Sequence, residues 1–352
     1  MSRITLTAMA LAVLLPLATA VAQPYVDPID APAEASPLAA RSQLTAITQA
    51  GDRLVAVGAR GVILLSDDAG QQWRQARVPV SSDLVSVQFP SALQGWAAGH
   101  DGVILHSADG GESWSKQLDG RQLLGQLTAH FQALADAGDE RASQYLELVN
   151  LNFGNGPELP FLGVWFDNER DGYAVGAFGT LLATTDGGKS WVSWIEKIDN
   201  PNSFHLNAVI GIGGELYIAS EQGTVFKLDR AQQRFVALAT GYTGSFFGLV
   251  GNARFLLAHG LRGTAYRSTD GGQSWARVDT GHGAGLVAGV MEDNGDVLLA
   301  SQAGAVLRSA DQGRSFTPLG AVTPYLFAGL SPVAGTRVAI VGMAGVQVAP
   351  AR

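Results

Sequence analysis

The chain has no cysteine. Disulfides, thiolate metal sites and a lipid-modified N-terminal cysteine are therefore excluded. It is almost as short of lysine. Lys116, Lys189, Lys197 and Lys227 are the only four, so arginine carries nearly all the positive charge, which suits planar, bidentate contacts. Charged residues make up only 15% of the chain and the net charge is −8, which argues against nucleic-acid binding through a basic footprint. After the first two dozen residues no apolar run is long enough to span a bilayer.

What is present is apolar and rich in glycine: 47% hydrophobic residues and 44 glycines among 352 residues, with mean hydropathy +0.14. Residues 1–22 have the form of a signal peptide. Arg3 supplies the positive start, Ala8 to Ala20 a short apolar core, and Ala20-Val21-Ala22 a small-x-small cleavage site. Cleavage after Ala22 would leave a mature chain of net charge about −9. The expected location is periplasmic or another exported, lumen-like compartment, with the mature chain soluble.

The strongest signal is an internal repeat. Ser/Thr-x-Asp-x-Gly-x-x-Trp/Phe occurs five times, at Ser66–Trp73, Ser107–Trp114, Thr184–Trp191, Ser268–Trp275 and Ser309–Phe316. Its aspartates are Asp68, Asp109, Asp186, Asp270 and Asp311, spaced by 41, 77, 84 and 41 residues. A degenerate copy at Asp229, followed by Phe235, divides the 84 into 43 and 41, and the 77 is one period plus an insertion. A second mark, Gly/Ser-x-x-Gly, precedes every signature, at Gly58/Gly61, Gly99/Gly102, Gly176/Gly179, Ser220/Gly223, Gly260/Gly263 and Ser301/Gly304. A seventh pair, Gly342/Gly345, has no signature after it. Strand-length apolar runs flank each pair and a further one precedes it, as at Leu84–Phe89, Leu206–Ile210 and Leu286–Val290. Four strands per repeat of about 40 residues specify an all-β, seven-bladed β-propeller of four-stranded blades over residues 23–352.

Two departures from the period follow. Residues 118–160 read as a helical insertion between blades two and three. Leu123, Leu124, Leu127, Phe131 and Leu134, then Ala142, Tyr145, Leu146 and Val149, recur at helical spacing around a break at Gly138-Asp139. The seventh blade lacks its outer strand, so residues 23–39 are expected to supply it and close the ring.

Five aspartates in register could be taken for acids, bases or metal ligands, but blade geometry holds them apart. Each instead suits a hairpin between strands three and four. There the carboxylate accepts backbone N–H bonds, glycine serves a conformation that excludes a β-carbon, and Trp73, Trp114, Trp191, Trp275 or Phe316 opens the outer strand. The six histidines show no ligand spacing, so no metal and no cofactor is expected. The loops on the Gly-x-x-Gly face carry Arg60, His100, Asp101, Phe178, Glu221, Arg262, Gln302 and Met343, a mixture of arginine, aromatic and methionine that suits a protein contact. The insertion opens on the same face.

The repeated signature is the Asp-box of the bacterial neuraminidase repeat superfamily. That superfamily includes sialidases, whose sites need an arginine triad, a tyrosine nucleophile and an Arg-Ile-Pro segment upstream of the first box. Here Arg77-Val78-Pro79 follows the first box, and no tyrosine sits in a comparable segment. With Val57-Gly58-x-x-Gly61-Val62-Ile63-Leu64 and Ser-x-Asp-Gly-Gly-x-Ser-Trp at Ser107–Trp114 and Ser268–Trp275, nearly the whole mature chain resembles the photosystem II stability/assembly factors of chloroplasts and cyanobacteria. The helical insertion is a departure from them. The resemblance implies an exported, monomeric, non-enzymatic propeller. It would serve as a protein-binding scaffold or assembly factor for a membrane or envelope complex, with a transporter among the candidate partners. The alternative is a sialidase-like glycoside hydrolase or glycan-binding propeller.

Overall fold

The computed structural model describes residues 25–154, 156–320, 322–333 and 336–351. Residues 1–22, the expected signal peptide, lie outside them. The described strands form seven antiparallel sheets, each ordered as in the sequence, six of four strands and one of three. The inner strands are Leu44–Ala50, Leu84–Gln88, Phe161–Phe166, Leu206–Ile212, Phe246–Asn252, Leu286–Met291 and Phe327–Val333. The second strand of every blade is almost wholly buried, as in Arg53–Gly58 and Arg337–Gly342, because it lies mid-sheet with a blade on either side. The core is correspondingly a series of inter-blade layers rather than one central mass.

Blades one, three and six have outer strands only two residues long, Arg74–Gln75, Val192–Ser193 and Thr317–Pro318. Blade four, which carries the degenerate signature, differs. Its outer strand runs Arg234–Ala239 and pairs residue by residue with Thr224–Asp229. Asp229 still accepts the Ala231 and Gln232 N–H groups, but without the serine and tryptophan of the full signature a continuous backbone ladder closes the hairpin.

The insertion forms two helices, α1 (Gly120–Asp136) and α2 (Ala142–Asn152). Asp119 starts α1 by accepting the N–H groups of Arg121 and Gln122, while the Gln122 side chain returns a bond to the Asp119 N–H, a complete capping box. Leu123, Leu127 and Phe131 of α1 and Val149 of α2 are buried against Trp96, Ile104, Phe161 and Phe166 of blades two and three. Phe131 stacks on Tyr145 at 4.9 Å between ring centres.

The expected closing strand is not found. Residues 25–39 contain no strand, and blade seven has three strands among the described residues. The segment instead lies along the outer edge of blade one. The Ala33 N–H donates to the Val78 carbonyl, the Ser81 N–H to the Pro28 carbonyl, and Ile29 is buried between blades one and two. Pro28, Pro32 and Pro37 have no N–H, so a regular ladder cannot form here, whereas two isolated bonds can. Arg121 of α1 pairs with Asp27 at 3.0 Å and Asp30 at 2.8 Å, tying the segment to the insertion. The ring closes by side-chain packing: Leu44, Leu54, Ala56 and Leu64 of blade one meet Val333, Ala339, Val341 and Val348 of blade seven.

Candidate partner-binding face

The two ends of the propeller are built differently. At one end lie the signature hairpins. Ser107 Oγ donates to Asp109 Oδ1 at 2.8 Å and accepts from the Gly111 N–H at 2.8 Å. Asp109 then accepts the Ser113 N–H at 3.0 Å and the Ser113 hydroxyl at 2.6 Å. The same set recurs around Asp186, Asp270 and Asp311, and around Asp68 without the second hydroxyl, Gln72 giving only its N–H. The indole N–H groups of Trp73, Trp114 and Trp275 donate to the carbonyls of Gly70, Gly111 and Gly272. Trp191 packs edge-on against Phe166, and its N–H has no partner among the described residues. Phe316 has no such donor and only packs.

These bonds set the carboxylates' acidity. At Asp270 the Ser274 hydroxyl, the Ser274 N–H and the Ser268 hydroxyl hold the pKa down to about 2. At Asp186 and Asp311 desolvation opposes ionisation, but bonds from Ser190 and Thr184, and from Ser315 and Ser309, outweigh it, again to about 2. A carboxylate so saturated with donors is a poor proton carrier. Among the described residues no group of three or more His, Asp or Glu side chains is placed to hold a metal ion.

At the other end, the second and third strands are joined by tight turns: Ala59–Gly61, His100–Gly102, Ala177–Gly179 and Leu261–Gly263, with equivalents at 221–223, 302–304 and 343–344. The spacing of the glycines follows from chain crossings. A β-carbon on Gly99 would lie 2.1 Å from the Asp83 carbonyl oxygen, where the chain enters blade two's inner strand. One on Gly263, at φ +71°, would lie 1.8 Å from the His282 carbonyl oxygen, where the chain leaves for blade six. The first glycine thus admits the blade's own entry and the second its exit, so this end is locked by backbone proximity.

The side chains between the glycines remain outside that lock. Arg60, His100, Phe178, Arg262, Gln302 and Met343 are exposed, and Asp101 and Glu221 half-buried. Arg60, Asp101, Phe178 and Arg262 occupy the left-handed region at φ 53° to 59°. Neighbouring groups that the sequence did not single out hold the turns. Asp83 accepts the Arg60 N–H at 2.7 Å. His205 Nδ1 accepts the Phe178 N–H at 3.0 Å, and Glu221 accepts the His205 N–H at 2.8 Å. The His205 and Phe178 rings meet edge-on at 4.8 Å. Asp83 and His205 each stand just before an inner strand, a position the repeat makes identifiable once the crossing is known. The insertion adjoins this end: the start of α1 abuts Gly102, and Phe178 shares a small cavity with Phe131, Tyr145 and Val149. None of the eight candidate residues lines the central channel, whose two cavities are walled by inner strands and by the hairpins at the signature end.

Solved structures with this architecture include YCF48 bound to D1 peptide (16% identity, TM-score 0.63, 91% of this chain and 96% of the other) and YCF48 from Cyanidioschyzon merolae (18% identity, TM-score 0.61, 91% and 98%). The WD40 propeller domain of Doa1 superposes as well (11% identity, TM-score 0.64, 92% and 97%), so likeness at this level establishes the propeller alone. Comparison with curated proteins finds no match. The sequence itself matches the family model for photosynthesis system II assembly factor YCF48 over residues 43–142 and 139–277, from the first inner strand to the outer strand of blade five. The chain therefore belongs to the photosystem II assembly factor YCF48 family.

Proposed function

We propose that this protein is an exported, non-enzymatic scaffold that binds a segment of a membrane-protein complex on the Gly-x-x-Gly face. The observation that carries this reading is the division of labour between the two ends. Signature side chains are consumed by internal bonds, whereas the side chains of Arg60, Phe178, Arg262 and Met343 are exposed on turns held by close backbone crossings and by neighbouring groups such as Asp83 and His205. Exposed arginine, aromatic and methionine side chains on a rigid frame are the composition of a protein contact. A family relative has been solved with a D1 peptide bound, which supports a polypeptide ligand for this chain as well.

The test is capture of partners from solubilised membranes with the wild type and with Arg60, Phe178 and Arg262 all changed to Ala. Loss of the captured protein with an unchanged melting temperature supports the face. Undiminished capture overturns it. Turnover of a fluorogenic sialoside would overturn the non-enzymatic part. Export is checked by N-terminal sequencing of the mature protein, expected to begin at Gln23, and the monomer by a sedimentation mass corresponding to one chain.

A further inference from the structure

The seven blades share one position at which the second strand is paired with a small residue of the inner strand. The pairs are Ala46 with Val57, Ser86 with Ala98, Gly163 with Val175, Ala208 with Ala219, Gly248 with His259, Ala288 with Ala300, and Gly329 with Val341. Six blades place valine or alanine on the second strand, and blade five places histidine. His259 is only 1% exposed, and its Nδ1 lies 2.9 Å from the Leu286 carbonyl. That carbonyl can only accept, so Nδ1 carries the proton and Nε2 a lone pair. Burial reinforces the neutral form, pulling the pKa down to about 4.

Nε2 has no protein partner among the described residues, and the reason lies in the glycines around it. A β-carbon on Gly248 or on Gly289 would sit 2.9 Å from Nε2, so the ring reaches the channel wall between two residues that have no side chain. There it borders a cavity of about 250 Å³ whose other side chains are apolar except Thr45, among them Val85, Val209, Leu249 and Val287. Below it, sharing Ile47, Ile210 and Leu330, lies a second chamber of about 810 Å³ that carries Gln49, Gln88 and Asn294 at the signature end. A buried histidine with one unused acceptor is costly in a position where valine or alanine serves in the other six blades. Dry apolar cavities of about 150 Å³ accept benzene, so the upper cavity has room for an aromatic ring.

We propose that this throat is a binding site for an aromatic ring carrying one hydrogen-bond donor, of the phenol or indole class, with the ring among the apolar inner-strand residues and the donor on His259 Nε2. The ring can come from a free small molecule or from a tyrosine or tryptophan side chain. The site is separate from the docking face, so the Arg60, Phe178 and Arg262 substitutions leave it intact.

The experiment titrates the full mature protein with p-cresol and with toluene, following the His259 imidazole nitrogens by NMR. p-Cresol is expected to bind about tenfold tighter than toluene, the ratio that one hydrogen bond of ~1.4 kcal/mol provides, and to move the Nε2 resonance while leaving Nδ1 in place. In H259L the preference falls to about one. If that variant does not fold, the wild-type Nε2 shift still decides. N-acetyltyrosinamide binding tighter than p-cresol assigns the ring to a polypeptide, and weaker binding assigns it to a free ligand. Equal affinity for p-cresol and toluene, or a Nε2 resonance that does not respond to either, overturns the proposal and leaves water as the occupant.

Discussion

The two ends of this propeller solve the same problem, a sharp hairpin repeated around a ring, by opposite means. At the signature end, side chains hold the turn: serine or threonine bonds aspartate, aspartate bonds the backbone, and tryptophan covers the result. At the Gly-x-x-Gly end, close backbone crossings hold the turn, helped at two blades by Asp83 and His205 from the entering chain, and of the side chains between the glycines only Glu221 is drawn into that support. Where the fold uses side chains, they must repeat. Where it uses only backbone, they are free to differ from blade to blade. If the Gly-x-x-Gly face is the docking face, the conspicuous motif marks the opposite end.

This contrast can be broken experimentally, and the largest effect should come from the backbone-locked end. Gly99→Ala forces a β-carbon into the Asp83 carbonyl and is expected to cost about 3 kcal/mol or more, read as a shift in denaturation midpoint. A cost under 1 kcal/mol would mean that the crossing is slack. Asp270→Ala removes the acceptor of the Ser274 and Ser268 bonds and should lower the denaturation midpoint by less than Gly99→Ala does. Asp229→Ala should cost less, since that carboxylate serves a hairpin already closed by a backbone ladder.

Acid should separate regions of the molecule by pH window. His259, neutral when folded with a pKa near 4 against an ordinary 6.5, contributes stability that is complete above pH 6.5. That contribution is lost as the pH falls towards 4, by up to about 3 kcal/mol, and H259L should flatten this limb. Asp186, Asp270 and Asp311, held near 2 against 3.8, contribute stability that is complete above pH 3.8 and lost as the pH falls further towards 2. Melting temperatures across this range would show one limb or two. The smallest effect should be at the docking turns. Arg262→Ala should change stability by less than about 0.5 kcal/mol, and Arg262→Gly, relieving the left-handed φ of 57°, should stabilise by up to about 1 kcal/mol. Capture of partner should fall in both.

The sequence carried most of this architecture because periodicity survives translation into structure. A 41-residue spacing became one blade, and the leucine and phenylalanine spacing of 123–134 became the buried face of α1. The closing strand failed because edge strands obey weaker rules. Isolated bonds to Val78 and Pro28 satisfied a proline-rich segment on blade one, and no pattern in residues 23–39 distinguishes one blade's edge from another's. His259 was equally hidden. In one dimension it is a histidine before a glycine, and only strand register shows that its six counterparts are valine or alanine.

Blades one and seven meet through apolar side chains, with the Gln49 side chain reaching the Pro332 carbonyl and, among the described residues, no strand of one blade laddered into the other. Such a seam behaves as a greased clasp rather than a zip. It resists shear poorly, yet it parts and reseals without breaking a row of peptide hydrogen bonds. Under tension, or at the first stage of thermal opening, the circle should part there, and binding of a hydrophobic dye to the uncovered Leu54, Leu64 and Val341 should report it before amide exchange does.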